Sequence, residues 1–264
     1  MSVIRILTHD PDATFQRRVI AGVKSAAHPR GMSVQVETPP SSALFAALSD
    51  QPEGLLVIAN AVSSAILRHI NEQGRAVTLV SHRVQGLAIP SVMFNNAQGM
   101  GLLVRHLLHD CGRRQLVFVR GIAEQIDAIQ REAAFRNEIM RHGINPDSLR
   151  YLSGEFSPAV AAESVMMLLR ERVSFDAVIA ADYLMANAIT DVLRGQGIAV
   201  PEQVAVVGFG DTPEATDANL TTVKANVEAL GYHAGLQLIS QVNGARIGGV
   251  TSLAVQLLVR GSSC

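Results

Sequence analysis

Short apolar runs alternate with longer stretches of helical period along this chain, and the alternation predicts an α/β fold with two parallel sheets. The runs, such as those at 55–59 and 177–180, are apolar on consecutive residues, as expected of strands buried on both faces. The stretches between them are long enough for the helical crossovers that parallel pairing requires.

In the first half, strands are expected at 3–7, 33–37, 55–59 and 77–80, with helices at 12–27, 41–49 and 63–73. The second half repeats the scheme, with strands at 115–119, 149–152, 177–180 and 204–207. Its helices are expected at 97–110, 123–142, 159–171 and 184–196. Pro90 and Pro201 precede strands, where a missing N–H costs no ladder bond. Gly112, Gly143 and Gly197 follow helices, where a left-handed cap is wanted.

The composition narrows the function classes. With 264 residues, 48% of them apolar, the chain can bury a substantial core, in one large or two modest domains. Charge is balanced at −1 and no Lys/Arg block occurs, so nothing reads as a nucleic-acid surface. No apolar run approaches the ~20 residues of a membrane span, and the 3–7 run is too short for a signal peptide. Two cysteines, Cys111 and Cys264, make no disulfide framework, and a reducing cytoplasm is the expected home.

Catalytic signatures are absent: no Gly-x-Ser-x-Gly elbow, no Walker loop, and no third glycine after Gly208-Phe209-Gly210 to complete a dinucleotide fingerprint. No enzyme activity and no cofactor are expected. His106, His109, Asp110 and Cys111 together suggest a metal cluster. They close a helix, however, where histidines suit the negative dipole end, and no second cluster completes a ligand set. No metal is expected.

A run of motifs carries a family resemblance. An apolar strand at 204–207 meets the turn Gly208-Phe209-Gly210-Asp211. Leu220-Thr221-Thr222-Val223 follows, then a helix with Leu230-Gly231. Earlier stand Asn95-Asn96-Ala97-Gln98-Gly99, Arg131 with Phe135-Arg136, and Gly197-Ile198 before Val200-Pro201-Glu202. Leu257-Leu258-Val259-Arg260-Gly261-Ser262 closes the chain. In order and spacing these resemble the LacI/GalR family of transcriptional regulators, in their effector-binding region.

The resemblance implies a periplasmic binding protein-like type I fold: two Rossmann-like parallel-sheet subdomains joined by a three-crossover hinge. The N-terminal subdomain would hold 1–94 plus 226–245, and the C-terminal subdomain 95–225 plus 250–264. A small-molecule effector, a sugar or related polar metabolite, would bind in the cleft at the strand ends and close it. The resemblance also implies a homodimer, with Leu44, Leu48, Leu184, Met185 and Ile189 as candidate interface residues. DNA would be reached only through a helix-turn-helix that this sequence does not contain.

Loops after strands should supply the ligand contacts. The first subdomain offers His9, Asp12 and Phe15 after its first strand, and Ser81 and His82 after 77–80. The second offers Arg131, whose fork of donors suits vicinal hydroxyls or a carboxylate, with Asp182, Phe209 and Asp211. Asp12 and Asp182 equally suit helix N-caps, Phe15 suits core packing, Asp211 suits its own turn, and Arg131 has Glu132 as a neighbouring acid. Two positions depart from the family pattern: Tyr183 stands where an aspartate is usual, and Gly210 replaces the first acid of the turn. Phe15, Phe209 and Phe156 are the candidates for stacking on a ring. Other architectures with such a sensor are a cyclase or kinase and a transport-associated periplasmic binding protein.

Overall fold

The structure, a computed structural model, describes residues 2–38 and 53–264. The helix expected at 41–49, with Leu44 and Leu48, lies outside the described residues. The chain divides into two compact units, 1–94 with 226–253, and 95–225 with 254–264.

The first unit carries a six-stranded sheet. Its strands are β1 (Val3–Leu7), β2 (Ser33–Glu37), β3 (Gly54–Ile58), β4 (Val77–Val80), β5 (Ser91–Phe94) and β11 (Val250–Leu253). The spatial order is β11-β5-β4-β3-β1-β2, and all pairs are parallel. The central strands are apolar on both faces because helices cover both: every residue of β3 is buried. Helices α1 (Thr14–Ala27) and α2 (Ser64–Glu72) connect strands, and a later helix, Val227–Val242, returns to lie on β3, β4 and β5.

That returning helix packs on α1 with almost no side-chain layer between them. A Cβ on Gly22 would strike the carbonyl oxygen of Glu228, and one on Gly231 would strike that of Val19. Arg18 donates from Nε and Nη2 to the two carboxylate oxygens of Glu228, at 2.8 Å each, and fixes the helices in register.

The second unit repeats the plan. Its strands are β6 (Leu116–Arg120), β7 (Arg150–Ser153), β8 (Ala177–Ala180), β9 (Ala205–Phe209), β10 (Thr221–Lys224) and β12 (Gln256–Leu258), in the order β12-β10-β9-β8-β6-β7. All pairs are parallel except β10 with β12. Helices α3 (Asn96–Arg105), α4 (Ile126–Arg141), α5 (Pro158–Arg170), α6 (Tyr183–Gly195) and the short α7 (Pro213–Asp217) connect them, and Val227–Val242 of the first unit becomes α8. Phe118 of β6 and Phe135 of α4 stack at 4.7 Å and are fully buried, each contributing about 1.5–3 kcal/mol.

Side-chain caps start six of the described helices, among them the short helix after Thr212, which was not expected. Ser63, Asn95, Ser157, Asp182, Thr212 and Asn226 each accept an N–H three residues on. Gly112, Gly143 and Gly197 end helices with positive φ. Asp12 is not a cap. Ala13 occupies that position of α1, and Asp10 Oδ1 accepts the N–H groups of Asp12 and Ala13 instead.

Three short strands, β10, β11 and β12, were not among those expected, and β5 was expected only through Pro90 at its entrance. Two of them, β10 and β11, mix threonine or serine with apolar residues and lack a continuous apolar run. Thr221 and Thr222 are nevertheless fully buried, because each hydroxyl is hydrogen-bonded inside the protein. Residues 250–253 stay with the first sheet, paired to β5, so the last chain crossing comes after Leu253 rather than at 244–251.

The cysteine reading needs correction. Cys111 and Cys264, 153 residues apart, form a disulfide with Cα atoms 5.3 Å apart. Cysteine number and spacing carried no sign of it, because only the folded chain brings the C-terminal residue to the end of α3.

Candidate functional site

Strands 2-1-3-4-5 of each doubly wound sheet place the switch point between the first and third strands. In open α/β sheets the loops at the carboxyl ends of the strands diverge at such a point, where ligands commonly bind. In the first unit this is the edge after β1 and β3, and in the second the edge after β6 and β8.

At the first edge, His9 is exposed and its Nε2 lies 3.2 Å from the Asn60 carbonyl oxygen. Asp12 is exposed, and Phe15 is half-buried in the first turn of α1. Ser81 and His82 follow β4, Ser81 with φ 50°. Burial holds the His82 imidazole below its ordinary pKa, so it is neutral near pH 7. Three polar atoms on this edge are buried without a hydrogen-bond partner among the described residues: Thr8 Oγ1, Ser81 Oγ and His82 Nε2. Buried polar groups are rarely left so; Thr8 follows β1 and Ser81 and His82 follow β4, two strands separated in the sheet by β3. Thr8 escaped the sequence reading because it is the last residue before the His9-Asp10 turn and looks like part of the strand.

At the second edge the organising group is Arg131, 7% exposed on α4. Its Nε donates to Asn96 Oδ1 at 2.9 Å and its Nη1 to the Ala181 carbonyl oxygen at 2.7 Å. Nη2 lies 3.9 Å from Asp127 Oδ2. The guanidinium carbon sits 3.9 Å from the centroid of the Phe209 ring and 6.0 Å from that of Phe156. Burial lowers the Arg131 pKa, opposed by the charges of Asp127 and Asp182. Glu132, the acid expected to compete for Arg131, pairs with Arg120 and Arg136.

Asp182 caps α6, its Oδ1 accepting the Met185 N–H at 2.8 Å. Burial pushes its carboxyl up to about 6, against the Met185 N–H and the Arg131 charge. It is therefore a cap and a carboxylate facing a buried cation. Phe209 ends β9 under Arg131. Asp211 is held by Arg260, whose Nη2 donates to Oδ1 at 2.7 Å.

The structure thus gathers Arg131, Asp182 and Phe209 and adds Asn96 and Asp127, with Asn96 Nδ2 donating to Asp127 Oδ1 at 2.8 Å. Asn96 was legible only as the start of a helix. Asp127 and Arg131 are spaced i,i+4 on one helix face, a signal present in the sequence but common on any helix.

Two doubly wound sheets traversed by one chain, with polar groups at their carboxyl edges, define a periplasmic binding protein-like architecture. Residues 104–264 match the family model for the periplasmic binding protein-like domain. The chain belongs to that family, and the curated proteins it is similar to are transcriptional regulators. It is 28% identical to the HTH-type transcriptional regulator AscG of Escherichia coli over 195 residues, 73% of this chain and 58% of that protein. It is 26% identical to the lactose operon repressor of Escherichia coli over 255 residues, 92% of this chain and 69% of the repressor. The chain thus spans somewhat over half of AscG. A dimeric Lac repressor with a C-terminal deletion superposes with a TM-score of 0.87 at 23% identity, covering 99% of this chain and 98% of that one. A LacI family regulator from Enterococcus faecium with bound ribose gives 0.87 at 20%, with 99% and 98% covered. These likenesses show the fold.

Proposed function

We propose that this chain is the effector-sensing and dimerisation region of a LacI-type transcriptional regulator, and that its ligand is a sugar or related polar metabolite. The observation that carries the reading is the buried constellation of Arg131, Asp182 and Asn96 beside two phenylalanine rings. Fixed donors and a carboxylate next to an apolar face suit a molecule with adjacent hydroxyls. The unpartnered Thr8, Ser81 and His82 atoms of the first unit support the same ligand class, with His9, Asp12 and Phe15 around them. Asp211, held by Arg260, borders the second-unit site.

The sensor works by binding one conformation better than another, which is the only way a ligand shifts an equilibrium. The relatives are transcriptional regulators, and the function is sensing, not catalysis. Among the described residues no helix is long and apolar enough to cross a membrane, and a cytoplasmic place of work fits the relatives. DNA contact belongs to a helix-turn-helix outside this sequence. A two-fold dimer is part of the proposal. Of the expected interface residues, Leu184 is exposed, whereas Met185 and Ile189 are fully buried in the unit's own core. The disulfide is the one observation favouring a transport-associated periplasmic binding protein, and the sequence relatives weigh against it.

A thermal-shift screen of sugars, nucleosides and small acids tests the reading. A ligand at a hundred times its dissociation constant stabilises by about 2.7 kcal/mol. Stabilisation by a sugar class, lost in Arg131→Ala, supports the proposal. A screen in which nucleosides or small acids stabilise the chain and no sugar does overturns it.

A further inference from the structure

The end of α3 is built differently from every other described helix end. Residues His106–Asp110 form a single π turn, and Cys111 donates its N–H to the His106 carbonyl oxygen at 3.1 Å. Such a turn brings residues four and five apart onto one side of a helix. Here it places His106, Asp110 and Cys111 together, and the chain terminus delivers a fourth group. Ser262 and Ser263 are buried and anchor the tail: Ser262 Oγ donates to the Val206 carbonyl oxygen at 2.6 Å and accepts the Thr221 N–H at 2.8 Å. Cys264 follows them directly. His106 Nε2, Cys111 Sγ and Cys264 Sγ lie within 4.8 Å of one another.

We propose that His106, Cys111 and Cys264 form a zinc site that exists only when the two cysteines are reduced, so that metal and disulfide are alternative closures of the same C-terminal clasp. The imidazole is arranged for it. Its Nδ1 lies 2.9 Å from Asp110 Oδ2. A carboxylate there accepts a hydrogen bond from Nδ1–H, which leaves the lone pair on Nε2, the usual support behind a metal-bound histidine. Nε2 faces Cys111 Sγ at 3.4 Å and Cys264 Sγ at 3.8 Å. Tetrahedral zinc, with Zn–S near 2.3 Å and Zn–N near 2.0 Å, holds sulfur and nitrogen about 3.5 Å apart. Ser263 Oγ, 2.9 Å from Nε2, also lies 2.8 Å from Thr221 Oγ1, so it has a second partner when the metal takes the lone pair. A water completes the tetrahedron.

The two forms interconvert by balanced chemistry. A thiol reductant breaks the Cys111–Cys264 bond, supplying two electrons and two protons, and is itself oxidised to a disulfide. Zinc then binds the two sulfurs as thiolates and displaces the two protons. The disulfide form has no thiolate and holds no zinc at this site. In a reducing compartment, disulfides are mostly transient or sensing, which is the behaviour this arrangement would have.

The test uses the chain reduced with a water-soluble phosphine, which becomes the phosphine oxide with water as oxygen source and is then removed without air. Cobalt(II) is titrated first, read by thiolate-to-cobalt charge-transfer absorption, and zinc then displaces it in competition with a chromophoric chelator. The expected result is one ion per reduced chain and none at this site in the disulfide form. Cys264→Ser and His106→Gln should abolish the charge-transfer signature or shift its ligand pattern. Asp110→Asn should weaken zinc roughly ten- to a hundredfold through its hold on the histidine. Thermal melts show whether each variant is folded, and Cys264→Ser, at an exposed residue, is the variant least dependent on the core. Cobalt binding unchanged in folded Cys264→Ser or His106→Gln overturns the proposal. So does a reduced parent that takes up no ion, or one that no longer folds.

Discussion

The ring of Tyr183 lies against the backbone of Gly210, leaving no room for a side chain there: a Cβ at Gly210 would stand 2.8 Å from Tyr183 Cδ1. These are the two positions at which the sequence departs from the LacI/GalR pattern, and in the fold they are neighbours. The tyrosine takes the space that an acidic side chain at 210 would need. Gly210 also has φ 111°, in the region that L side chains rarely adopt.

The two departures should therefore behave as one unit. Gly210→Asp alone is expected to cost on the order of 1–3 kcal/mol from overpacking and backbone strain. Tyr183→Asp in the same chain should relieve the overpacking part, giving a coupling of about 0.5–3 kcal/mol in a double-mutant cycle. Denaturant melts of the four proteins measure it. Additive effects would show that the tyrosine does not exclude the acid.

Asp182 predicts a pH dependence. Its folded pKa of about 6 exceeds the ordinary 3.8, so the folded chain binds the proton more tightly than the unfolded one. Stability is then expected to fall as pH rises from about 4 to about 6 and to lose nothing further from this group above that, a total on the order of 1–3 kcal/mol. Asn is also a good cap, so Asp182→Asn should keep the helix and flatten this slope. Parallel slopes for parent and variant between pH 4 and 6 would refute the assignment.

Arg131 carries both binding and local order. With the sugar that gives the largest thermal shift, Arg131→Ala is expected to lose roughly tenfold to a hundredfold in affinity, the value of a charge-assisted hydrogen bond. Asn96→Ala leaves Arg131 Nε and Asp127 Oδ1 short of a partner and should cost about 1–3 kcal/mol of stability. Calorimetric titration beside a denaturant melt separates the two effects. Arg131→Ala with unchanged affinity would remove this arginine from the ligand site.

The α1–α8 contact should be intolerant of even a methyl group. Gly231→Ala places a Cβ against the Val19 carbonyl oxygen, and the helices must part. A loss of about 1–3 kcal/mol is expected, although alanine is by itself the better helix former by about 1 kcal/mol. A melting temperature equal to or above the parent's would contradict the close packing.

The sequence by itself determined the two-sheet α/β architecture, because strands buried on both faces write themselves as continuous apolar runs. It also offered Asp182 as a helix cap, a role that acts over three residues, and it singled out Arg131 and Phe209 by their place in a motif. Tertiary structure alone decided the rest. The strands β10 and β11 were hidden because hydrogen bonding or sheet pairing, not an apolar run, holds them in place. Asp182 acquired its raised pKa from burial, which no local pattern reports. Asn96 met Arg131 across two helices, Tyr183 met Gly210 across a sheet edge, and Cys264 reached Cys111 over 153 residues. Each of these pairs depends on loop closure and packing of the whole unit, and the free energy that brings them together is spread over the core rather than written in the residues that meet.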